Sequence, residues 1–349
     1  MRWNRVLTVV DCHAEGEVGK VVTGGLPAIP GETMFDKRRY LQTERDELRT
    51  FLLHEPRGAA AHDCNLLFPS ADPQAAFGYV IMESTEYPVM SGSNTICVAT
   101  VLLETGLVPM VEPVTDLVLE APAGLIRLRC ECSGGKVTSV RFTNQPALVY
   151  HLDAPVEVEG LGTVPVDVAW GGMTYAIADA AALGFDLVPV EARDLVEVGE
   201  RIKAAAAEQL TAVHPVEPRY AGITMTELVG PLGRDADGVL TARNAVVMSP
   251  GRLDRSPCGT GSSARLAVLH TRGLIGVGER FVHESVIGGR FDCRIESTVT
   301  VGTGERQVPA VVPSVAGQAW ITGLSHVGLD PTDPFPAGFT LSDTWTRAI

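Results

Sequence analysis

Short runs in which apolar and β-branched residues alternate with polar ones recur along the whole chain. The stretches 6–10, 78–82, 117–120, 137–142, 164–170, 174–177, 245–248, 298–301 and 319–322 read as strands, most with Gly, Pro or Asp close by. Runs with helical spacing are fewer, at 43–53, 94–105, 191–209 and 262–271. The 36 glycines and 23 prolines make the chain turn often. This pattern predicts a sheet-rich α+β protein. No GxGxxG opens a helix after the first strand, and no GxxxxGK followed by Ser or Thr occurs, so nicotinamide and nucleotide binding lack their usual support.

The most informative feature is an internal echo. Residues 91–108 read SGSNTICVATVLLETGLV and residues 258–275 read CGTGSSARLAVLHTRGLI. At a constant offset of 167 they share Gly92/Gly259, Val101/Val268, Leu102/Leu269, Gly106/Gly273 and Leu107/Leu274, with Ser91 matched by Cys258. Each copy predicts a nucleophile-sized side chain, then Gly and a hydroxyl residue, then an amphipathic helix closed by a Gly cap. Two similar α+β halves are therefore expected, facing each other across a cleft, each presenting a helix N-terminus to it.

A helix N-terminus offers unpaired N–H groups and a positive dipole end, so two of them suit a carboxylate. Gly92, Ser93, Gly259 and Thr260 would supply the N–H groups. The same field is expected to lower the pKa of Cys258 and make it a thiolate. Such a thiolate could attack a carbonyl or remove the proton next to a bound carboxylate.

Length and charge narrow the partners. The 349 residues suggest two domains or one two-lobed domain. A net charge of −14 without a basic tract argues against nucleic acid and anionic membranes. No apolar run approaches a membrane span, and the basic then apolar start runs into Asp11 and Glu15 as a first strand, not a signal peptide. Seven cysteines, odd in number and widely spaced, predict no disulfide framework and a reducing cytoplasm. His13, among Asp11, Glu15 and Glu17, reads as local turn structure rather than a metal site, so no metal is expected.

At this level the sequence resembles the proline racemase family. DRSPCGTG at 254–261 looks like the second catalytic motif of that family. MSGSN at 90–94 looks like the first, which is normally Met-Cys-Gly-His-Asn. Further matches are 11–17, EPRG at 55–58, IGGRF at 287–291 and 323–326 with Asp330-Pro331, in the family's order over nearly the whole chain. The resemblance implies a diaminopimelate-epimerase-like fold, with two pseudo-symmetric halves each wrapping a sheet around a central helix. The halves are expected at 1–136 plus 331–349 and at 137–330, with the final stretch returning to pack on the first. The resemblance also implies no cofactor, no metal, a small zwitterionic amino-acid substrate and a homodimer. Asp254 matches the aspartate that contacts the substrate ring nitrogen, and Asn94 belongs to the first motif.

The first family cysteine is here Ser91, whose hydroxyl titrates far above a thiol. Cys258 is then the one competent base. One-base chemistry favours β-elimination. Resemblance to family members with one cysteine replaced by Ser or Thr implies dehydration of trans-3-hydroxy-L-proline to Δ1-pyrroline-2-carboxylate by loss of the C2 proton and the C3 hydroxyl. The alternative is a 4-hydroxyproline 2-epimerase, converting trans-4-hydroxy-L-proline to cis-4-hydroxy-D-proline. His62 and Asp63 are further candidates for the cleft, and Tyr87 and Trp170 for ring-packing walls.

Overall fold

The computed structural model describes residues 3–302, 304 and 307–345; Met1 and Arg2, the basic start of the sequence, lie outside the described residues. It divides into two compact units, 1–142 with 317–349, and 143–316.

The first unit opens with the hairpin β1 (Arg5–Ala14) and β2 (Glu17–Gly24). Helices α1 (Met34–Glu44) and α2 (Glu47–Leu53) follow. The single helix expected over 43–53 is broken at Arg45–Asp46, because Asp46 takes the N-cap position of α2 and its carboxylate accepts from Arg49. Next come β3 (His62–Phe68), β4 (Phe77–Met82), α3 (Gly92–Glu104), β5 (Val114–Ala121), β6 (Gly124–Ser133) and β7 (Lys136–Thr143). Strand β2 pairs parallel with β3, β3 antiparallel with β4, and β5, β6 and β7 form an antiparallel meander.

The second unit carries β8 (Ala147–Val158), β9 (Gly162–Trp170), β10 (Thr174–Asp179) and α4 (Ala192–Gln209). It continues with β11 (Met225–Val229), the short β12 (Gly233–Arg234), β13 (Leu240–Met248) and the short β14 (Arg252–Leu253). Helix α5 (Gly259–Thr271) and strands β15 (Arg280–Ser285), β16 (Arg290–Val301) and β17 (Val308–Gly317) complete it. Pairing runs β8-β9-β10-β11-β13-β15-β16-β17 and returns to β8 through Ala310↔Leu148, so the sheet closes on itself and has no free edge along that circuit. The chain then re-enters the first unit with β18 (Ala319–Leu329), antiparallel to β1 over ten residue pairs from Arg5↔Leu329 to Ala14↔Ala319.

Two segments assigned from sequence to the second half therefore pack in the first unit. Residues 137–142 stay there because β7 is a hairpin partner of β6, and 319–329 because β18 is an edge partner of β1.

Each unit is built around one helix. In the first, α3 packs on β1, β2, β3 and β18; in the second, α5 packs on β8, β9, β10 and β16. Neither is the amphipathic helix the sequence suggests. Every residue from Gly92 to Leu103 is buried, as is nearly all of α5, since strands surround both helices. Helix α4 is amphipathic and lies outside the second sheet, burying Leu195, Gly199, Ile202 and Ala206 at helical spacing. Gly199 permits the approach, because a Cβ there would run into the Val247 side chain.

The echo survives in three dimensions. Thr95 N–H donates to the Ser91 carbonyl at 3.1 Å and Ser262 N–H to the Cys258 carbonyl at 2.8 Å. At the far ends, Thr105 and Arg272 N–H close on Val101 and Val268, followed by Gly106 and Gly273 at φ +75° and +70°.

Candidate active site

Ser91 is the N-cap of α3. Its Oγ accepts from the Asn94 backbone N–H at 3.5 Å and from Asn94 Nδ2 at 2.9 Å, and lies 3.4 Å from Ser93 Oγ. The Asn94 side chain is specified on every side. Nδ2 also donates to Asp63 Oδ2 at 2.9 Å, and Oδ1 accepts from Asn65 Nδ2 at 2.6 Å. Ser93, Asn94, Asp63 and Asn65 are all buried, and Ser91 itself is only partly so. Gly19 of β2 makes room for the arrangement: a Cβ there would sit 2.9 Å from Asn94 Oδ1 and 3.0 Å from Cys97 Sγ.

Cys258 is the N-cap of α5, with its backbone at φ 62° and ψ 112°. Its Sγ accepts from Gly261 N–H at 3.4 Å and lies 3.3 Å from the Tyr175 hydroxyl and 3.6 Å from Thr260 Oγ1. Tyr175 and Thr260 hydroxyls are themselves 2.6 Å apart. The approach to Cys258 is prepared by a short relay. Asp254 Oδ1 accepts from Ser256 N–H and Oγ–H, both at 2.8 Å, and Ser256 Oγ accepts from Cys258 N–H at 3.1 Å. The Gly171-Gly172 turn lies against the first turn of α5, where a Cβ on Gly171 would strike the Thr260 carbonyl.

The expectation of a lowered thiol pKa is corrected here. Burial, and then the Asp254 carboxylate, push the Cys258 thiol well up, while the Tyr175 and Thr260 hydroxyls and Gly261 N–H pull it down. Desolvation disfavours a thiolate more than one helix terminus favours it. Burial likewise pushes the Tyr175 phenol well up, so it remains a donor.

The structure thus gathers Ser91, Gly92, Ser93, Asn94 and Asp63 at one helix tip, and Cys258, Gly259, Thr260 and Asp254 at the other. His62 begins β3, one residue before Asp63. Tyr87 is buried in the first unit's core and donates to Asp46 at 3.0 Å, away from the Ser91 network. Trp170 stacks on Tyr220 with ring centroids 5.2 Å apart and neighbours His214, just before the Gly171 turn. His13 Nδ1 accepts from Gly16 N–H at 3.2 Å and its ring stacks on Trp320. All seven cysteines are free and buried. Sequence reasoning missed Tyr175 and Asn65, each an ordinary strand residue whose partner is remote in sequence.

The family is established by comparison. Residues 9–340 match the family model described as Proline racemase. A hydroxyproline epimerase from Agrobacterium vitis, solved with bound trans-4-hydroxy-L-proline, is 40% identical over 100% of this chain and 99% of that one, with a TM-score of 0.90. A probable proline racemase from Agrobacterium radiobacter K84, solved with bound carbonate, is 39% identical over 98% of both chains, with a TM-score of 0.89. A phenazine biosynthesis protein of the PhzF family from Bacillus anthracis shares the fold at 11% identity, over 93% of this chain and 100% of that one, with a TM-score of 0.57. Two similar units, each built around a buried helix with a polar cap, define a diaminopimelate-epimerase-like α+β protein. Within that class, the chain belongs to the proline racemase family. Among the described residues, no helix is long and apolar enough to cross a membrane.

Proposed function

We propose that the protein is a hydroxyproline 2-epimerase, inverting C2 of trans-4-hydroxy-L-proline to give cis-4-hydroxy-D-proline. Cys258 takes the C2 proton, breaking C–H and forming S–H. Ser91, or water held by it, delivers a proton to the opposite face. The N–H groups at each helix tip, Gly92 and Ser93 at one and Gly259 and Thr260 at the other, are the donors suited to the substrate carboxylate, and each helix dipole favours enolate-like charge. Asp254 binds the ring ammonium. That cation, close to Cys258, offsets the burial and the Asp254 charge that otherwise keep the thiol protonated.

The observation that carries this reading is the paired donation of Asn94 to Ser91 Oγ, at 2.9 Å from Nδ2 and 3.5 Å from the backbone N–H. Those donors stabilise the oxygen as it gives up its proton, which a free serine hydroxyl does poorly. The relative solved with trans-4-hydroxy-L-proline supports the same substrate. A second reading, dehydration of trans-3-hydroxy-L-proline to Δ1-pyrroline-2-carboxylate, is favoured by the presence of serine where the family has a second thiol. It needs only Cys258 as base, with the C3 hydroxyl leaving as water.

Both readings are tested by incubating the protein in deuterated water with each substrate and following proton NMR. Inversion and deuteration at C2 of the 4-hydroxy substrate, lost in Cys258→Ala, supports the epimerase. Faster loss of the 3-hydroxy substrate to a pyrroline supports the dehydratase. No change in either substrate, together with no exchange at C2, overturns both.

A further inference from the structure

Behind the Cys258 helix lies a fully buried polar cluster that the reaction does not use. Glu227 of β11, Asn244 of β13 and His283 of β15 project from one face of three adjacent strands toward α5. All three are at most 1% exposed. Asn244 Nδ2 donates to Glu227 Oε1 at 2.8 Å and to the Pro257 carbonyl at 2.8 Å. Ser262 Oγ donates to the same carbonyl at 3.2 Å. With its one proton committed there, Ser262 accepts from Nδ1–H of His283 at 2.9 Å, which fixes that imidazole's tautomer. Nε2 of His283 then faces Glu227 Oε1 at 3.8 Å as an acceptor. Glu227 Oε2, Asn244 Oδ1 and His283 Nε2 make no hydrogen bond.

The Pro257 carbonyl belongs to the peptide that leads into Cys258, and the clamp on it holds the next residue at φ 62°. We propose that Glu227 is a positioning residue for Cys258, acting through the Asn244 amide on the Pro257 carbonyl to aim the thiol and, by its charge beside Tyr175, opposing the thiolate. The assignment rests on the role given to Cys258 above, but not on the identity of the substrate.

The Glu227 charge also reaches the thiol's surroundings: after burial, the main cause, it helps to raise the Tyr175 phenol, whose hydroxyl lies 3.3 Å from Cys258 Sγ. Burial raises the Glu227 carboxyl to about 7, against the opposing effects of Asn244 and the Arg265 cation on α5. The other titratable groups facing it are Tyr175 on β10, which also contacts Cys258, and His283, which burial lowers to about 3 and keeps neutral. Neutral Glu227 favours forming one thiolate nearby, and ionised Glu227 opposes it.

The test is alkylation of the intact protein by iodoacetamide, read by peptide mass at Cys258, alongside C2 proton exchange. Cys258, at 7%, is the most exposed of the seven cysteines, the others being at most 3%. Glu227→Gln keeps an acceptor for Asn244. Its alkylation rate relative to the native protein is expected near one at pH 6 and about threefold above it at pH 8.5. Glu227→Leu releases Asn244 and is expected to lower the exchange kcat about tenfold at little change in KM. A Gln-to-native ratio that is flat across pH overturns the proposal, as does a folded Glu227→Leu protein with native alkylation and kcat. Should the Leu variant not fold, the pH dependence of the Gln variant decides alone. Failure of the substrate reading leaves the alkylation result intact, so the two failures are distinguishable.

Discussion

Gly19→Ala adds a single methyl group in the strand that runs beside α3. It would lie 2.9 Å from Asn94 Oδ1, 3.0 Å from Cys97 Sγ and 3.2 Å from Cys97 Cβ. Ordinary contact needs about half an ångström more. Neither neighbour gives way easily. Cys97 is fully buried, and Asn94 Oδ1 is held by Asn65 at 2.6 Å. Overpacking of this kind costs about 1–3 kcal/mol. Reduced freedom of the unfolded chain returns about 0.4–1 kcal/mol. The expected net loss is therefore about 1–2 kcal/mol in urea denaturation. A displacement of Asn94 by half an ångström also lengthens its bonds to Ser91 and Asp63, both 2.9 Å. Under the epimerase reading, delivery of a proton from the Ser91 side then falls about tenfold, while abstraction by Cys258 does not. Proton NMR in deuterated water separates the two, since C2 deuteration without inversion reports the Cys258 side alone. Unchanged stability together with an unchanged ratio of inversion to exchange would refute this reasoning.

Gly171→Ala drives a methyl group into the Thr260 carbonyl and the Ala264 amide, both backbone, so it is expected to lower stability by about 3 kcal/mol or more and to reduce Cys258 alkylation. The Glu227 carboxyl gives stability a pH dependence of definite sign. From about pH 4.5 to 7 the unfolded chain ionises Glu227 and the folded one does not, so stability falls as pH rises through this window. The full difference is about 3 kcal/mol, and Glu227→Gln is expected to remove that slope from chemical denaturation curves measured between pH 4 and 8. A slope unchanged in the variant would place the titration elsewhere.

How far the sequence went depended on where each residue's partners lie. The tips of α3 and α5 were legible because Gly, a hydroxyl residue and a nucleophile-sized side chain recur together at one spacing, and local capping needs only neighbours in sequence. The burial of those helices on every side was not legible, because it depends on strands that come from the whole length of each unit. Strand β2, with its run Glu17–Gly24, was passed over since Gly19 and Gly24 interrupt the alternation, yet Gly19 is what lets Asn94 reach Ser91. Tyr175 met Cys258, and Glu227 met Asn244, only once the parallel pairing of β10 with β11 and the antiparallel pairing of β11 with β13 had set the register. The pKa of Cys258 went the wrong way for a similar reason. A helix terminus can be read from neighbouring residues, but desolvation is a property of the folded interior.

Cys258 keeps its thiol on a backbone that glycine would occupy more comfortably. A side chain in that left-handed region costs about 1 kcal/mol, and the fold sustains it through contacts elsewhere. Change to glycine at this position therefore relieves backbone strain, and that relief passes through loss of the group proposed to take the C2 proton. Selection of this chain for heat resistance alone carries a pull toward glycine at 258 and, on the reading proposed above, away from its chemistry.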